Sequence, residues 1–315
     1  MIPPSPPPED SAFRKSRWLM GCFLGCGMVM LFFAVFALGL FIYLMVLVPE
    51  FPTHRIIAPN QPVIAYAKPD PTDPGLQELA QRLSERWEGQ SRQELPEWLR
   101  NLSPHDTGSQ QSLIALLPTE MTVIFDGQGS LQRAAAVNGG AQLRLIRFIG
   151  TTVGGWEKEY KGARYMTVRH TYAFGFYGAT LLWAESEPLF QQLVDRLEKG
   201  QTSAPPMVTH LKGSYDLVAF LRPHASFWRQ WGLLGLSAEI GCDVVSGDRM
   251  TMDIYCPSVP DGWLSAVRST LEELSRKMKE EGVTLRWTIK REGEGLFIVG
   301  ELSGLTQFVN RRFFR

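Results

Sequence analysis

One uninterrupted apolar run, residues 18–48, constrains this chain more than any other feature, because it contains no Asp, Glu, Lys, Arg or His. A helix needs about 20 apolar residues to cross the hydrocarbon core of a bilayer. This run is longer, so it can span the core with some tilt. Trp18 and Tyr43 lie near its two ends, where aromatic rings favour the headgroup layer. Pro49 and Pro52 follow and end the helix. The sequence therefore predicts a transmembrane helix over 18–48.

Three other readings of this run are less consistent with the sequence. A buried helix of a soluble protein carries a polar face at this length. A cleaved signal peptide has an apolar region of about 7–15 residues, and the first Ala-x-Ala of the sequence, at Ala65 and Ala67, lies well past the run. Cleavage at a lipoprotein-like Cys26 would leave a long apolar stretch through Val48. An uncleaved signal anchor is the reading that we favour.

The basic residues around the run predict its orientation. Arg14, Lys15 and Arg17 precede it closely, whereas Arg55 is the only Lys or Arg between the run and Lys68. Flanking cations stay preferentially on the cytoplasmic side. We therefore expect a single-pass protein of the cell membrane, with its N-terminus in the cytoplasm and its C-terminal part outside.

Proline content marks the segments on either side of the run. Residues 1–17 begin with a proline-rich stretch and are predicted to be a disordered cytoplasmic tail, although a polyproline stretch can also dock into an aromatic groove. Residues 49–75 contain seven prolines and are predicted to be an extended stalk, with a short strand at 63–67 as an option within it. Apolar spacing predicts a helical connector over 76–111.

The remaining residues, 112–315, are predicted to form an α+β extracytoplasmic domain. Alternating strand pairs joined by tight turns, with helices between them, are typical of antiparallel sheets with packed helices. Two halves, 112–200 and 207–315, share a loose order of strands followed by a helix, but no repeated motif relates them. The clearest elements are helices over 187–199 and 261–281 and hairpins over 242–256 and 284–302.

The four cysteines fall into two groups. Cys22 and Cys26 lie within the apolar run. Cys242 and Cys256 flank a predicted hairpin and would lie near its open end. In an oxidising compartment they could form a disulfide, and two buried thiols are the alternative.

Several short patterns resemble a class of single-span bacterial extracytoplasmic proteins of unknown function. The resemblance covers about residues 112–315 and implies an anchored extracytoplasmic domain. It assigns no catalytic or binding residue. The patterns are Leu117-Pro118, Val137-Asn138, Leu181-Leu182-Trp183-Ala184, Gly282-Val283-Thr284 and Gly304-Leu305.

The charge balance and the motif search exclude some functions. Lys plus Arg and Asp plus Glu both total 32, so the whole chain lacks the basic footprint of a nucleic-acid-binding protein. No metalloprotease, Cys-x-x-Cys, P-loop or nucleophile-elbow spacing occurs, and the sequence indicates no cofactor, metal site or catalytic residue. An assembled His/carboxylate site stays open. The histidines are His54, His105, His170, His210 and His224.

Two surfaces are candidates for interactions. Trp228 and Trp231, with Arg229 between them, are residue types enriched at binding hot spots, and the alternative is that the rings fill the core. Gly21 and Gly25 form one Gly-x-x-x-Gly, a spacing found where membrane helices pair.

These observations lead to three expectations for function. The first is a membrane-anchored, non-catalytic interaction or structural module, such as an accessory subunit of a membrane or envelope complex. Its partners would be the bilayer, through 18–48, and another protein. The alternative is a lipid- or ligand-binding domain, which requires a sizeable apolar cavity. An extracytoplasmic enzyme that uses His170 or His210 with nearby carboxylates is the third.

Overall fold

The computed structural model of the protein describes residues 33–36, 38–40, 47–59, 61–91, 118–126, 132–152, 155–168, 171–200, 204–222 and 236–307. Residues 1–48 and 49–315 form two separate units, and the fold below is that of the second unit. In the first, 33–36 and 38–40 are helical. Within the described residues, which include 18–48 only in part, no helix has both the length and the apolar character that crossing a bilayer requires.

A twelve-stranded sheet, antiparallel at every neighbouring pair, organises the second unit. With its packed helices it confirms the predicted α+β class. The strands are β1 (Val63–Ala67), β2 (Pro118–Asp126), β3 (Gln132–Gly139), β4 (Lys158–Tyr160), β5 (Ala163–Val168), β6 (Tyr172–Tyr177), β7 (Thr180–Ala184), β8 (Leu217–Leu221), β9 (Ala238–Ser246), β10 (Arg249–Cys256), β11 (Thr284–Glu292) and β12 (Gly295–Ser303). Their order across the sheet is β11-β12-β10-β9-β8-β1-β2-β3-β7-β6-β5-β4.

The helices of the described residues lie mostly where apolar spacing predicts them. They are α1 (Pro74–Ser91), α2 (Ala141–Thr152), α3 (Glu187–Lys199) and α4 (Leu264–Glu280), with 3-10 turns at Thr53–Ile56 and Asp261–Trp263. Helix α3 illustrates why its ends are well predicted. Ser186 caps its first turn by accepting a hydrogen bond from Leu189 N, and Gly200 ends it at a φ of 59°. These are the preferred residue types for the two positions.

The predicted stalk is wrong, because residues 49–75 are part of the folded domain. Strand β1 lies within them and pairs with β2 on one side and β8 on the other, at the centre of the sheet. Ile56 is completely buried, and α1 begins at Pro74. The prolines lie outside β1, where no ladder hydrogen bond is lost. The short strand at 63–67, predicted as an alternative within the stalk, is present in the structure as β1.

The sheet has two faces, and each carries a separate hydrophobic core. We call front the face with Ile64, Ile124 and Phe220, which lie side by side on β1, β2 and β8. The back face carries the alternate residues, including Val63 and Leu221. Helix α3 packs on the front of β3, β5, β6 and β7. Its core residues are Ile124, Ala134, Ala136, Ala163, Tyr165, Ala173, Leu182, Ala184, Leu189, Phe190, Leu193, Val194 and Leu197.

Helix α4 covers the opposite face at the other end of the sheet. It packs on the back of β9, β10, β11 and β12, where Val267 and Leu271 meet alternate strand residues such as Ile298. A smaller cluster joins Leu79 of α1 to Met278 of α4. The two large cores therefore lie on opposite faces, and the sheet itself connects them.

The strand pairing is repeated across the centre of the sheet. The series β1-β2-β3-β7-β6 matches β8-β9-β10-β12-β11 in order, direction and register, and β1 pairs with β8 so that Ala65 faces Ala219. A twofold axis at this point relates the two halves, and the first half begins at β1 rather than at the predicted boundary of 112. The matching pairs are Val63↔Phe125 and Leu217↔Cys242, Phe125↔Arg133 and Cys242↔Met252, Ala134↔Ala184 and Asp253↔Val299, and Ala173↔Ala184 and Thr288↔Val299.

The turns of two hairpins follow the same repeat. Gly178 begins the loop between β6 and β7, and Gly293 begins the loop between β11 and β12, with φ values of 61° and 62°. Such a left-handed first position is typical of a type II′ two-residue hairpin and favours glycine.

Cys242 and Cys256 are not bonded to one another. Both are free and buried, with 8% of Cys242 and 5% of Cys256 exposed. Cys242 on β9 lies opposite Met252 on β10, and Cys256 lies four positions further along β10. At about 3.3 Å per residue, that offset is too large for a disulfide, whose Cα atoms lie at most about 7 Å apart. The alternative of two buried thiols is therefore correct.

We expect Phe190→Ala to lower the free energy of unfolding of the full chain by about 3–5 kcal/mol, since it empties a completely buried aromatic site under α3. Chemical denaturation in mild detergent, followed by tryptophan fluorescence, measures the change. Gln192→Ala, at an exposed position of the same helix, should change it by less than about 0.5 kcal/mol. Equal effects of the two variants would contradict the assigned core.

We expect Cys242 and Cys256 to resist alkylation in the folded chain. Burial raises the pKa of Cys242 to about 12, with a further contribution from Asp253, and raises that of Cys256 to about 11. The reactive thiolate is therefore scarce. In a Cys22→Ser/Cys26→Ser background, iodoacetamide at about pH 8 should label both residues only after denaturation. Rapid labelling of the folded chain would contradict this result.

Candidate functional site

A partly buried carboxylate fastens the segment before β1, which we call the first strap (residues 49–57), to the front of the sheet. Glu120 of β2 accepts hydrogen bonds from the backbone N of Thr53 at 3.1 Å and from Nδ1 of His54 at 3.2 Å. It also accepts from the hydroxyl of Tyr66 at 3.1 Å and the amide of Asn138 at 3.2 Å. Burial, together with the charge of Glu120, raises the pKa of Tyr66 to about 12, so this hydroxyl remains a donor.

Threonine and asparagine side chains complete the attachment of the first strap. Phe51 N donates to Thr180 Oγ1 at 3.0 Å, and Asn138 Nδ2 donates to Phe51 O at 2.9 Å. The hydroxyls of Thr53 and Thr122 lie 2.8 Å apart, and both residues are completely buried. Because buried polar groups without partners cost free energy, these contacts fix the strap in one position.

A second strap, residues 204–216, precedes β8 and is fastened in a similar way. Glu239 of β9 accepts hydrogen bonds from the backbone N atoms of Thr209 and His210, at 3.0 and 3.1 Å. It also accepts from Thr209 Oγ1 at 2.9 Å and lies 3.0 Å from His210 Nδ1. One carboxylate therefore holds both residues of a Thr-His pair.

Aromatic contacts continue from the second strap across the front face. The His210 ring stacks on Tyr255 with centroids 4.5 Å apart, and Tyr255 packs against Phe297 at the same distance. Tyr215 donates to Asp253 Oδ2 at 2.8 Å. Burial and the Asp253 carboxylate raise the pKa of Tyr215, so its phenol also stays protonated and donating.

The Thr-His pairs belong to the internal repeat. Each precedes the central strand of its half, and those strands share an apolar-apolar-Ala-aromatic sequence in Val63-Ile64-Ala65-Tyr66 and Leu217-Val218-Ala219-Phe220. A histidine beside a glutamate can act as a general base. Here a Thr-His pair precedes the central strand of each half and is held by a glutamate of the next strand in the sheet, although Glu239 corresponds in register to Thr122 rather than to Glu120. In both halves the pair fastens a strap. The repetition therefore assigns it a structural role.

The straps border a groove of about 360 Å³ at the centre of the front face. Ile64 and Phe220, from neighbouring central strands, lie along it, Ile57 of the first strap forms part of one wall, and Met207 of the second strap lies at its rim. Met207 has 75% of its surface exposed. The groove is lined by Ile57, Ile64, Ala204, Pro206, Met207, Phe220, Leu221, Arg222, Ser237, Ala238, Glu239 and Pro257.

The lining of this central groove is mixed, with slightly more apolar than polar surface. Two charged residues line it, and the structure already uses their polar groups. Glu239 holds the second strap, and Arg222 donates to the carbonyl of Pro59 at 2.5 Å. A small methionine-edged groove of this kind suits flexible apolar groups, since methionine adapts its shape and is polarizable.

The sequence predicts few of the residues at this site. The predicted surface residues Trp228, Arg229 and Trp231 and the predicted pairing face at Gly21 and Gly25 lie outside the described residues. Among the residues that the structure describes, no group of three His, Cys, Asp or Glu could hold a metal ion. The residues missed are Glu120 and Glu239. The signal that could have found the site is the Thr-His pair that occurs twice before similar strands.

Comparison with known proteins finds similar solved structures but no match by sequence. No protein-family model and no curated protein matches the chain. The chain is similar to crystal form IV of TP0453, with a TM-score of 0.43 and 14% identity over 82% of this chain and 97% of that chain. It is also similar to crystal form I of TP0453, with a TM-score of 0.45 and 10% identity over 83% and 98%.

We expect the contribution of Glu239 to stability to fall in acid. Burial raises the pKa of this carboxyl, but hydrogen bonds from His210 and Thr209 outweigh burial and lower it below the ordinary 4.5. A lowered pKa in the folded state contributes stability that is fully present above the ordinary value and is lost as pH falls through the folded one. Glu239→Gln should therefore be less stable than the original chain at about pH 7 and approach it below about pH 4.5.

Denaturant unfolding midpoints of the full chain at about pH 7 and about pH 3.5 measure this difference. Glu292→Gln, at an exposed position, is the matched control and should differ little from the original chain at either pH. A difference for Glu239→Gln that stays constant with pH would exclude the proposed role of its charge.

Proposed function

We propose that this chain is a single-pass, membrane-anchored extracytoplasmic binding module without catalytic activity. The apolar run 18–48 is its anchor, and the basic residues before that run place the N-terminus in the cytoplasm. The sheet domain then lies outside and binds another protein of the membrane or envelope, as an accessory or structural subunit would.

The central groove is the observation that carries this proposal. It lies where the two halves meet, and its apolar lining includes Ile64 and Phe220. Met207 at its rim is largely exposed. A large apolar side chain left in water is unfavourable by about 1.5–3 kcal/mol relative to its buried state. Covering Met207 with a partner's apolar side chains recovers part of that free energy.

The polar clusters near the groove favour binding over catalysis. Glu120 and Glu239 each accept four hydrogen bonds from their straps and neighbouring residues. Their task is to hold the walls of the groove in place. A pre-organised wall lowers the entropic cost of binding.

A lipid- or ligand-binding domain is the second candidate. The groove volume, about 360 Å³, falls within the range of about 300–1,000 Å³ that is common for small-molecule sites. The exposed rim favours a protein, because small-molecule sites usually bury 70–90% or more of the ligand surface.

A photo-crosslinking amino acid at Met207, in the full chain in native membranes, tests the proposal. We expect one discrete protein adduct, which Ala204→Glu in the groove wall should reduce at least about tenfold. The matched control carries the crosslinker at Lys279, an exposed position of α4, and should give no such adduct. An adduct of lipid mass would replace this proposal with the second candidate. Equal labelling from both positions would overturn it.

A further inference from the structure

Among the described residues, strand β11 is the last strand at one end of the sheet and gives that end a long edge. It has nine residues, and in the sheet order of the described residues its strand neighbour is β12. The other end of the sheet is different, because it closes with β4, a strand of three residues. Natural proteins usually keep edge strands short or otherwise protected, since their free backbone groups can pair with another chain.

The internal repeat shows what the open edge corresponds to in the first half. There β6 takes the place that β11 has in the second half, and β6 is not an edge. It pairs with β7 on one side and with β5 on the other. Phe174 of β6, which faces Met166 of β5, corresponds to Ile289 of β11. The second half therefore repeats the strand and lacks its cover among the described residues.

The hairpin geometry identifies the backbone groups that face away from β12. Glu292 and Gly295 close a two-residue loop, so they form a hydrogen-bonded pair. Because hydrogen-bonded and non-hydrogen-bonded pairs alternate along an antiparallel ladder, the N–H and C=O groups of every second residue point outward. Among these residues are Leu285, Trp287 and Ile289.

Packing holds this edge in an extended shape. On the back face, Trp287 and Ile289 pack into the α4 core, and Trp287 Nε1 donates to Ser275 Oγ of α4 at 3.0 Å. A strand that is already ordered loses little entropy when it accepts a partner strand.

Charge on the front of β11 defines the partner that fits. Arg286 and Lys290 are exposed there, with Thr288 between them and Glu292 at the hairpin end. A second copy of this chain, paired antiparallel about Thr288, would place Arg286 of each copy opposite Lys290 of the other, which is unfavourable. A strand with acidic residues on that face would pair favourably, and its apolar residues would continue the back face beside Trp287.

We propose that β11 binds an extended strand of another protein, antiparallel as β5 is to β6, with acidic side chains on the front and β-branched apolar side chains on the back. The inference rests on the proposed function only in taking the partner to be a protein. Its surface is separate from the central groove.

A synthetic peptide with alternating Glu and Val, labelled with a fluorophore, is the probe. We expect it to bind the full chain in mild detergent, as measured by fluorescence anisotropy, and to weaken at least about tenfold with Arg286→Glu/Lys290→Glu. Lys279→Glu, an equally exposed charge change on α4, is the matched control and should leave binding unchanged. A peptide with every second backbone nitrogen methylated on the pairing side should not bind, because it lacks the ladder donors.

Hydrogen exchange identifies the strand that the peptide contacts. On binding, the amides of Leu285, Trp287 and Ile289 should gain protection. Equal binding of the methylated peptide, or no binding of the probe, would overturn the proposal. So would a dimer of the chain that protects the same amides. Ala204→Glu in the groove should not affect peptide binding, so failure at the edge and failure at the groove are distinguishable.

Discussion

The pairing of β1 with β8 is the interaction on which the rest of the structure depends. These two short strands join the two halves of the sheet, and the cores under α3 and α4 lie on opposite faces to either side of them. Because no helix among the described residues spans both cores, the sheet must stay continuous through Ala65 and Ala219. The two straps precede these strands in the chain, and Glu120 and Glu239 fix the position of each strap on the sheet. The hydrogen bonds to these two carboxylates thus support the pairing of β1 with β8.

Elements with strong local signals could be predicted from the sequence. Helix α3 has a serine cap, an apolar stripe and a terminal glycine, and the β11–β12 hairpin has alternating residues around Arg291–Gly295. The prolines on both sides of β1 predict a stalk, although they lie beside the strand rather than in it. The order of the strands depends on pairings such as Val63 with Phe125, which no local pattern encodes. The cysteine offset likewise depends on the register of β9 and β10.

The candidate site was harder to predict because its residues come from distant segments. One groove is bordered by Ile57, Met207 and Arg222. The sequence around each of them predicts only a linker or the end of a strand. The carboxylate partners of His54 and His210 follow them at different distances in the sequence, so no fixed spacing marks these pairs. The recurrence of Thr-His before two similar strands was the available signal. It becomes meaningful only when the register shows that both strands occupy equivalent positions.

The twofold register at the centre of the sheet has one further consequence. It is the geometry of an isologous dimer, in which two identical half-length chains would pair through their first strands. Joining both halves in one chain makes that pairing intramolecular and independent of protein concentration. The two halves of a single chain can also differ in sequence, so their surfaces need not be identical. In the part of the chain that the structure describes, one end of the sheet is extended by β4 and β5 and the other ends at β11. Two identical subunits could not have this asymmetry.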